Sequence, residues 1–460
     1  MSVISPLTYA YPVLDLYSSS RLGSWIYNPS DKMDKKIMAV LMVAILVVAG
    51  AAGAFMLLGG GNGPEKVKAT GNLPVFGNAN NDDAIDQKDI DLMNKLLNDT
   101  SMDRVQYPYL DANQDGKFDK SDVELVQKIV KREKCEISYL DWEDKPVKQS
   151  FPVTADKICI NRYFFVELLE ILDITDKLAL ATSRLVTDRA GVYDLPASVV
   201  SYEGGKAPSA ETILQNKCDL VIADTWDTKV CNTVKEASPS TTVIYIDIYS
   251  YGNLVKFVEI LGLLINKTTE AQKYASFVND INDYLEKGMK NVTKSKVAIV
   301  HLNKAINTGE TSIEVKPCSS VYLMSKIADI YLNDPNGSSN RFTIDDEWVM
   351  KNYKVLFDKI IALDENYGTG LTFTKDEFEN RWDQTKERYA AMTIEADGNL
   401  HHTVYFTITF GSYAFLPMVA HMLYPDNFSE DKGWEYLQKY WDDFTSVDTN
   451  VRTSGGWFTL

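Results

Sequence analysis

The stretch TTEAQKYASFVNDINDYLEKGMK, residues 268–290, decides the fold. Tyr274, Phe277, Val278, Ile281, Tyr284, Leu285 and Met289 recur at steps of three and four, and neither Pro nor Gly interrupts them before Gly288. This periodicity predicts one amphipathic helix of about 34 Å. Strands and helices alternate on both sides of it. Upstream, strands are expected at 157–160, 180–182, 219–223 and 242–247, with helices at 165–172 and 210–214. Downstream, strands at 297–302, 359–363 and 404–410 alternate with helices at 320–331, 345–350, 375–388, 413–422 and 433–443. The chain therefore reads as α/β, with two Rossmann-like lobes bridged by a single long helix. Lobe 1 covers 150–267, the bridge 268–290 and lobe 2 291–460.

Farther upstream, two acidic segments match position for position at an offset of 33 residues: Asn78-Ala-Asn-Asn-Asp-Asp-Ala-Ile-Asp-Gln-Lys-Asp89 and Asp111-Ala-Asn-Gln-Asp-Gly-Lys-Phe-Asp-Lys-Ser-Asp122. A calcium ion takes about six to eight oxygens, and a tight loop aims the side chains of positions 1, 3, 5 and 12 inward while position 7 offers its carbonyl. Those donors are Asn78, Asn80, Asp82, Asp89 and the Ala84 carbonyl in the first loop, and Asp111, Asn113, Asp115, Asp122 and the Lys117 carbonyl in the second. Apolar residues follow each loop at helical spacing: Ile90, Leu92, Met93, Leu96 and Leu97, then Val123, Leu125, Val126, Ile129 and Val130. A lone acidic turn would not repeat this register, so two Ca2+ sites are expected. The second is the stronger, because the first has Asn78 for Asp at its opening and Asp83 for Gly at its sharp turn.

The pair resembles the dockerin domain, in which two loop–helix calcium units pack together. Asp at position 12 and Pro108 ahead of the second loop set it apart from an EF-hand. The resemblance implies a small all-α domain over 72–134 and a cohesin-like protein as partner. The usual Ser-Thr recognition pair is replaced by Gln87-Lys88 and Lys120-Ser121. Read as an independent domain, this module should lose stability on calcium chelation and leave the rest of the chain folded.

The chain has 460 residues and a formal net charge of −17, which argues against nucleic acid as a partner. Residues 37–58 form an uncharged apolar run long enough to span a bilayer, and Lys32, Lys35 and Lys36 precede it. The expected arrangement is a cytoplasmic segment over 1–36, with Met33 as an alternative start, then one transmembrane helix and a flexible linker over 59–71. The bulk of the chain would then lie outside a cell membrane crossed once. Five cysteines show no CxxC spacing, and one bridge, Cys218 to Cys231, is conceivable outside the cell. Glu203-Gly-Gly-Lys206 is not a phosphate loop, since Ala207 and Val200 stand where it needs Ser or Thr and Gly. With no G-x-S-x-G or HExxH motif either, the chain is not expected to be an enzyme.

Two further stretches resemble the substrate-binding proteins of ATP-driven importers for iron complexes, haem and corrinoids. Ala207-Pro-Ser-Ala-Glu211-Thr-Ile213, continuing to Asp219-Leu-Val-Ile-Ala223, is similar to the family's N-x-E-x-I-x-x-x-x-P-D-L-V-I-A, with Asn and Pro missing. Ser412 to Phe428 is similar to the family's last helix. The order of anchor, paired repeats and binding fold resembles that of methanogen proteins. The resemblance implies a metal chelate held between the lobes and an ABC permease that receives Glu211 from one lobe and Glu347 from the other. Loops after the strands' carboxyl ends should supply the cleft, which points to Arg162, Tyr163, Trp226, Asp227 and Tyr251 in lobe 1 and His401, His402 and Tyr405 in lobe 2. Adjacent in an extended segment, His401 and His402 face opposite ways, so at most one reaches a bound metal. The alternative is a cell-surface adhesion or scaffold protein whose α/β part binds no small ligand.

Overall fold

Each acidic loop ends in a capping box that starts a helix. Asp86 and Asp89 cap α1 (Gln87–Asn98), and Asp119 and Asp122 cap α2 (Lys120–Val130). A hairpin follows, β1 (Cys135–Leu140) and β2 (Pro146–Phe151). Lobe 1 then runs β3 (Ile158–Ile160), α3 (Phe165–Ile171), β4 (Leu178–Thr182), α4 (Ser183–Val186), β5 (Val200–Tyr202), α5 (Ala210–Gln215), β6 (Leu220–Asp224), α6 (Thr228–Ala237), β7 (Thr242–Ile246) and α7 (Leu254–Ile265). The long helix is α8 (Thr268–Met289). Lobe 2 continues with β8 (Lys296–Leu302), β9 (Glu310–Glu314), α9 (Ser319–Met324), β10 (Asp329–Ile330), β11 (Arg341–Asp345), α10 (Asp346–Asn352), β12 (Lys359–Asp364), α11 (Lys375–Arg388), β13 (Leu400–Val404), α12 (Ser412–Leu423) and α13 (Glu430–Phe444).

This computed structural model describes residues 73–460 except 100, 188, 190, 205–206, 248–253, 303–309, 315–318, 333–340, 365–373, 391–393, 395–396, 405–408, 455 and 459–460. The segments 1–36, 37–58 and 59–71, and the side chains of Tyr251 and Tyr405, lie outside the described residues. Among the described residues no helix is long and apolar enough to cross a membrane.

The lobe 1 sheet has the order β5-β4-β3-β6-β7 and is parallel throughout. Its strands are apolar on both faces, as Leu220, Val221, Ile222 and Ala223 show by being fully buried, because helices cover both sides. Lobe 2 has the order β11-β9-β8-β12-β13, with β10 beside β8. Its β10, β8, β12 and β13 are parallel; β9 and β11 form an antiparallel extension that the alternation pattern did not foretell. Along α8 the residues Tyr274, Phe277, Val278, Ile281 and Leu285 are buried, as their spacing demands.

Two elements differ from expectation. The helix expected at 320–331 stops at Met324, and Asp329–Ile330 joins the sheet as β10. The strand expected at 404–410 lies earlier, at Leu400–Val404. Its two histidines disguised a fully buried strand, since His402 stacks on Phe378 at 4.8 Å and Thr403 Oγ1 donates to the Trp457 carbonyl.

The paired-loop module is not an independent all-α body. Residues 74–76 pair with the hairpin through Phe76 N–H to the Ser138 carbonyl and Leu140 N–H to the Pro74 carbonyl. Arg132 donates to the Leu263 and Leu264 carbonyls at 2.8 and 2.9 Å, capping the last turn of α7, and lies over the Phe151 ring. Val75, Met93, Leu96, Val126 and Ile129 share one buried apolar cluster with Phe257, Val258 and Leu261 of α7. The described residues from Leu73 onward accordingly belong to one compact unit.

The C-terminal helices return to lobe 1. Glu167 of α3, 2% exposed, accepts from the Gly411 N–H at 2.9 Å and the Tyr440 hydroxyl at 2.8 Å. Tyr274 of α8 donates to the Phe410 carbonyl at 2.7 Å. The lobes are thus tied at a second seam besides α8. Cys135, Cys159, Cys218 and Cys231 are free thiols, so the conceivable Cys218 to Cys231 bridge is not formed.

Candidate functional site

At the carboxyl ends of β3 and β6, Arg162 is clamped by acids. Its Nε lies 3.2 Å from Asp224 Oδ2 and its Nη2 2.7 Å from Asp227 Oδ2. Asn161 completes the knot, donating to Asp227 at 2.9 Å and accepting from the Asp224 N–H at 2.9 Å. Burial pushes the Asp224 carboxyl up, and Arg162 and the Trp226 N–H act against that. Arg162 and Asp227 therefore hold two loops together. Trp226, next to Asp227 in the turn after β6, is 70% exposed.

Tyr163 is covered on one face by the Arg189 guanidinium, whose carbon stands 3.8 Å above the ring. Burial pushes the Tyr163 hydroxyl up, and Arg189 and Arg184 oppose it. Arg189 Nε is buried without a hydrogen-bond partner, and Arg184 on α4 is exposed. Sequence reading missed both arginines, because only the tertiary stack on Tyr163 distinguishes them from other surface cations.

In lobe 2, His401 and His402 leave β13 on opposite faces. Burial lowers His401 to about 4, with Lys359 adding to the effect, so its imidazole is neutral. Burial also lowers His402, while Asp364, 3.6 Å from its Nε2, opposes that. Arg381 reaches the same carboxylate at 2.5 and 3.1 Å. His402 is thus fixed inside lobe 2 between Phe378 and Asp364.

Glu211 and Glu347 are exposed in the first turns of α5 and α10, after the N-caps Ser209 and Asp345. This is where the sequence placed them, one per lobe.

The two acidic loops repeat their hydrogen bonds as well as their residues. Asp89 accepts from the Asn80 and Asp86 N–H groups, and Asp122 from those of Asn113 and Asp119. Asn80 and Asp82 accept from the Asp82 and Ala84 N–H groups, as Asn113 and Asp115 do from Asp115 and Lys117. At the fourth position Asn81 and Gln114 both have positive φ, 53° and 60°. The sixth position differs, because Gly116 has φ 87° whereas Asp83 is not left-handed. The first loop therefore turns differently there and avoids the cost expected for Asp83.

Asp89 and Asp122 are fully buried. Burial raises the Asp89 carboxyl to about 6 against its two backbone donors, and Asp82 and Asp86 push the same way; burial likewise raises Asp122. Buried carboxylates among like charges fit a cation, and all-oxygen donors fit a hard divalent one. Among the described residues, no three His, Cys, Asp or Glu side chains are already drawn together as a metal centre. The loops depend equally on amide and carbonyl oxygens.

Two α/β lobes joined by one long helix match known structures over most of their length. The chain is similar to the TroA-like periplasmic binding protein FepB from Veillonella parvula, at 17% identity over 70% of this chain and 99% of that one, with a TM-score of 0.57. The fold is that of a TroA-like periplasmic binding protein. A periplasmic solute binding protein from Veillonella parvula aligns over 70% of this chain and 97% of its own at 12% identity and TM-score 0.51. Helicobacter pylori CeuE, solved as a Ni-His complex, aligns over 68% and 97% at 14% identity and TM-score 0.50. No protein-family model and no curated relative matches the chain. The structures sharing this binding-protein fold are solute-binding proteins, not enzymes.

Proposed function

We propose that this chain is an extracytoplasmic substrate-binding protein. It would deliver a metal chelate, an iron complex, haem or a corrinoid, to an ABC permease, tethered to the cell membrane through residues 37–58. The observation that carries this reading is the two-lobed fold, with Arg189 stacked on Tyr163 and Arg184 close by after β3 and β4, and Trp226 exposed after β6. Aromatic faces and guanidinium groups suit a large anionic chelate. Helicobacter pylori CeuE, of similar fold, was solved as a Ni-His complex. His401, buried beside Lys359 towards the amino end of β13, and His402, enclosed with Asp364, are not taken as metal contacts in this reading. Glu211 and Glu347 would enter basic pockets of the permease.

Calcium would be held by Asn78, Asn80, Asp82, the Ala84 carbonyl and Asp89 in the first loop, and by Asp111, Asn113, Asp115, the Lys117 carbonyl and Asp122 in the second. The ion supplies charge compensation for the buried carboxylates and so stabilises the module. A cohesin-like partner would have to meet the second loop, where Asp115, Gly116 and Lys117 are exposed.

The test is thermal melting against ferric siderophores, haemin, cobamides, oxyanions and free metals. A ligand at a hundredfold its Kd should add about 2.7 kcal/mol and raise the Tm by several degrees. A selective shift supports import and names the ligand class; no shift with any of them favours the adhesion or scaffold reading. Charge reversal of Glu211 and Glu347 together should abolish uptake and leave ligand affinity unchanged.

A further inference from the structure

Away from α8 the lobes meet at a buried carboxylate. Glu167 of α3 takes donors from both: Oε2 accepts from the Gly411 N–H and the Tyr440 hydroxyl of lobe 2, and Oε1 from the Tyr193 hydroxyl of lobe 1 at 3.3 Å. Burial pushes its carboxyl up, and these donors act against that. At 2% exposure it would be left bare if lobe 2 drew back, and a buried acceptor without donors costs more than a hydrogen bond normally gains. Gly411 admits the Tyr440 ring, since a Cβ there would stand 2.6 Å from it. One turn along α3, Glu170 accepts from the Ser446 hydroxyl at 3.1 Å, and Ser446 accepts from the Asp194 N–H at 3.2 Å.

Two short paths join Glu167 to the stack of Arg189 on Tyr163. Tyr163 lies four residues before Glu167, and its carbonyl accepts from the Val166 N–H at 3.3 Å in the turn that opens α3. From Arg189 the chain turns through a bond of 3.0 Å, Val192 N–H to the Arg189 carbonyl, and reaches Tyr193. We propose that Glu167 is a positioning residue, a latch that fixes lobe 2 against lobe 1 and ties that setting to the Tyr163–Arg189 stack. The tie to a bound anion rests on the import reading above; the latch does not. A group that drew Arg189 off the Tyr163 ring would pull on Tyr193, and through Glu167 on Gly411 and Tyr440. The separation of Glu211 from Glu347, one on each lobe, would follow.

Spin labels on Glu236→Cys of α6 and Glu387→Cys of α11, both exposed positions, would measure the inter-lobe distance by dipolar spectroscopy. The full-length chain, purified in detergent, would also carry Cys135→Ser and Cys318→Ser; Cys159, Cys218 and Cys231 are buried away from the label. Without further substitution this chain should give one narrow distance. Glu167→Ala, Tyr440→Phe, Gly411→Ala and Arg189→Gln should each broaden or shift it. Glu167→Gln keeps one acceptor oxygen and should disturb it less than Glu167→Ala. Arg132→Ala, which loosens contacts away from this seam, should leave it narrow. If Glu167→Ala does not fold, Tyr440→Phe carries the test, since it removes one hydroxyl alone. An unchanged distance in Tyr440→Phe and Gly411→Ala, or equal broadening in Arg132→Ala, would overturn the latch. An unchanged distance in Arg189→Gln would overturn its tie to the stack. No ligand enters this measurement, so its failure and a failure of the import reading in the melting test are separate results.

Discussion

Arg162 shows what a single side chain does at the ends of β3 and β6. The Asp224 carboxyl it holds has no exposed surface, so Arg162→Ala would leave a buried charge without its cation. The expected loss is about 3–5 kcal/mol in urea unfolding, and Asp224→Asn in the same chain should recover part of it. Trp226→Ala should do the opposite. At 70% exposure its stability should stay within about 0.5 kcal/mol of wild type while ligand affinity falls. His401 gives a pH signature. Its folded value of about 4 lies below the ordinary 6.5, so the unfolded chain binds the proton more tightly. Stability should be full above about pH 6.5 and fall by about 3 kcal/mol as pH drops towards 4, and His401→Gln should flatten that slope in pH-dependent denaturation. The sequence placed Arg162 and Tyr163 after one strand and Trp226 and Asp227 after another, and in the structure Arg162 meets Asp227 across β3 and β6. It could not show that Asp224 and Asp227 neutralise Arg162, because that depends on β3 and β6 being neighbours, 62 residues apart at Arg162 and Asp224.

At the level of elements, what was legible had a local cause. The stripe of α8 and the two loop–helix starts were readable because period and capping residues lie within a few positions of one another. The β1–β2 hairpin, the β9–β11 extension and the true place of β13 were not, since each is fixed by pairing with a distant strand or by side chains packed from another helix. Arg132 belongs to this second kind. It sits just past α2, yet it closes the carbonyl end of α7, 131 residues on at Leu263. Arg132→Ala removes two charged hydrogen bonds and the stack on Phe151, and should cost about 1–3 kcal/mol in chemical denaturation. Arg132→Lys should not restore it, because an ammonium lacks the planar fork that reaches both carbonyls.

The whole molecule behaves differently from the sum of domains that the sequence suggested. The module's helices and α7 share one apolar cluster, so the module cannot melt without exposing part of the lobe 1 core. Chelation should therefore lower a single cooperative transition in calorimetry instead of splitting off a small early one, and hydrogen exchange along α7 should quicken when calcium is removed. Two separate transitions, the larger unmoved by chelator, would restore the independent module read from the sequence. The coupling also has a direction. The first loop is held by Gln272, and Gln272 lies on α8, the helix that joins the lobes. Tyr274, two residues on, fastens that helix to Phe410 at the entry to α12. Loosening the first loop frees a contact at the start of the bridge, so calcium removal should weaken ligand binding in the cleft as well as lower the melting temperature. Ligand titrations with and without chelator would measure this, and equal affinities would confine calcium to stability alone.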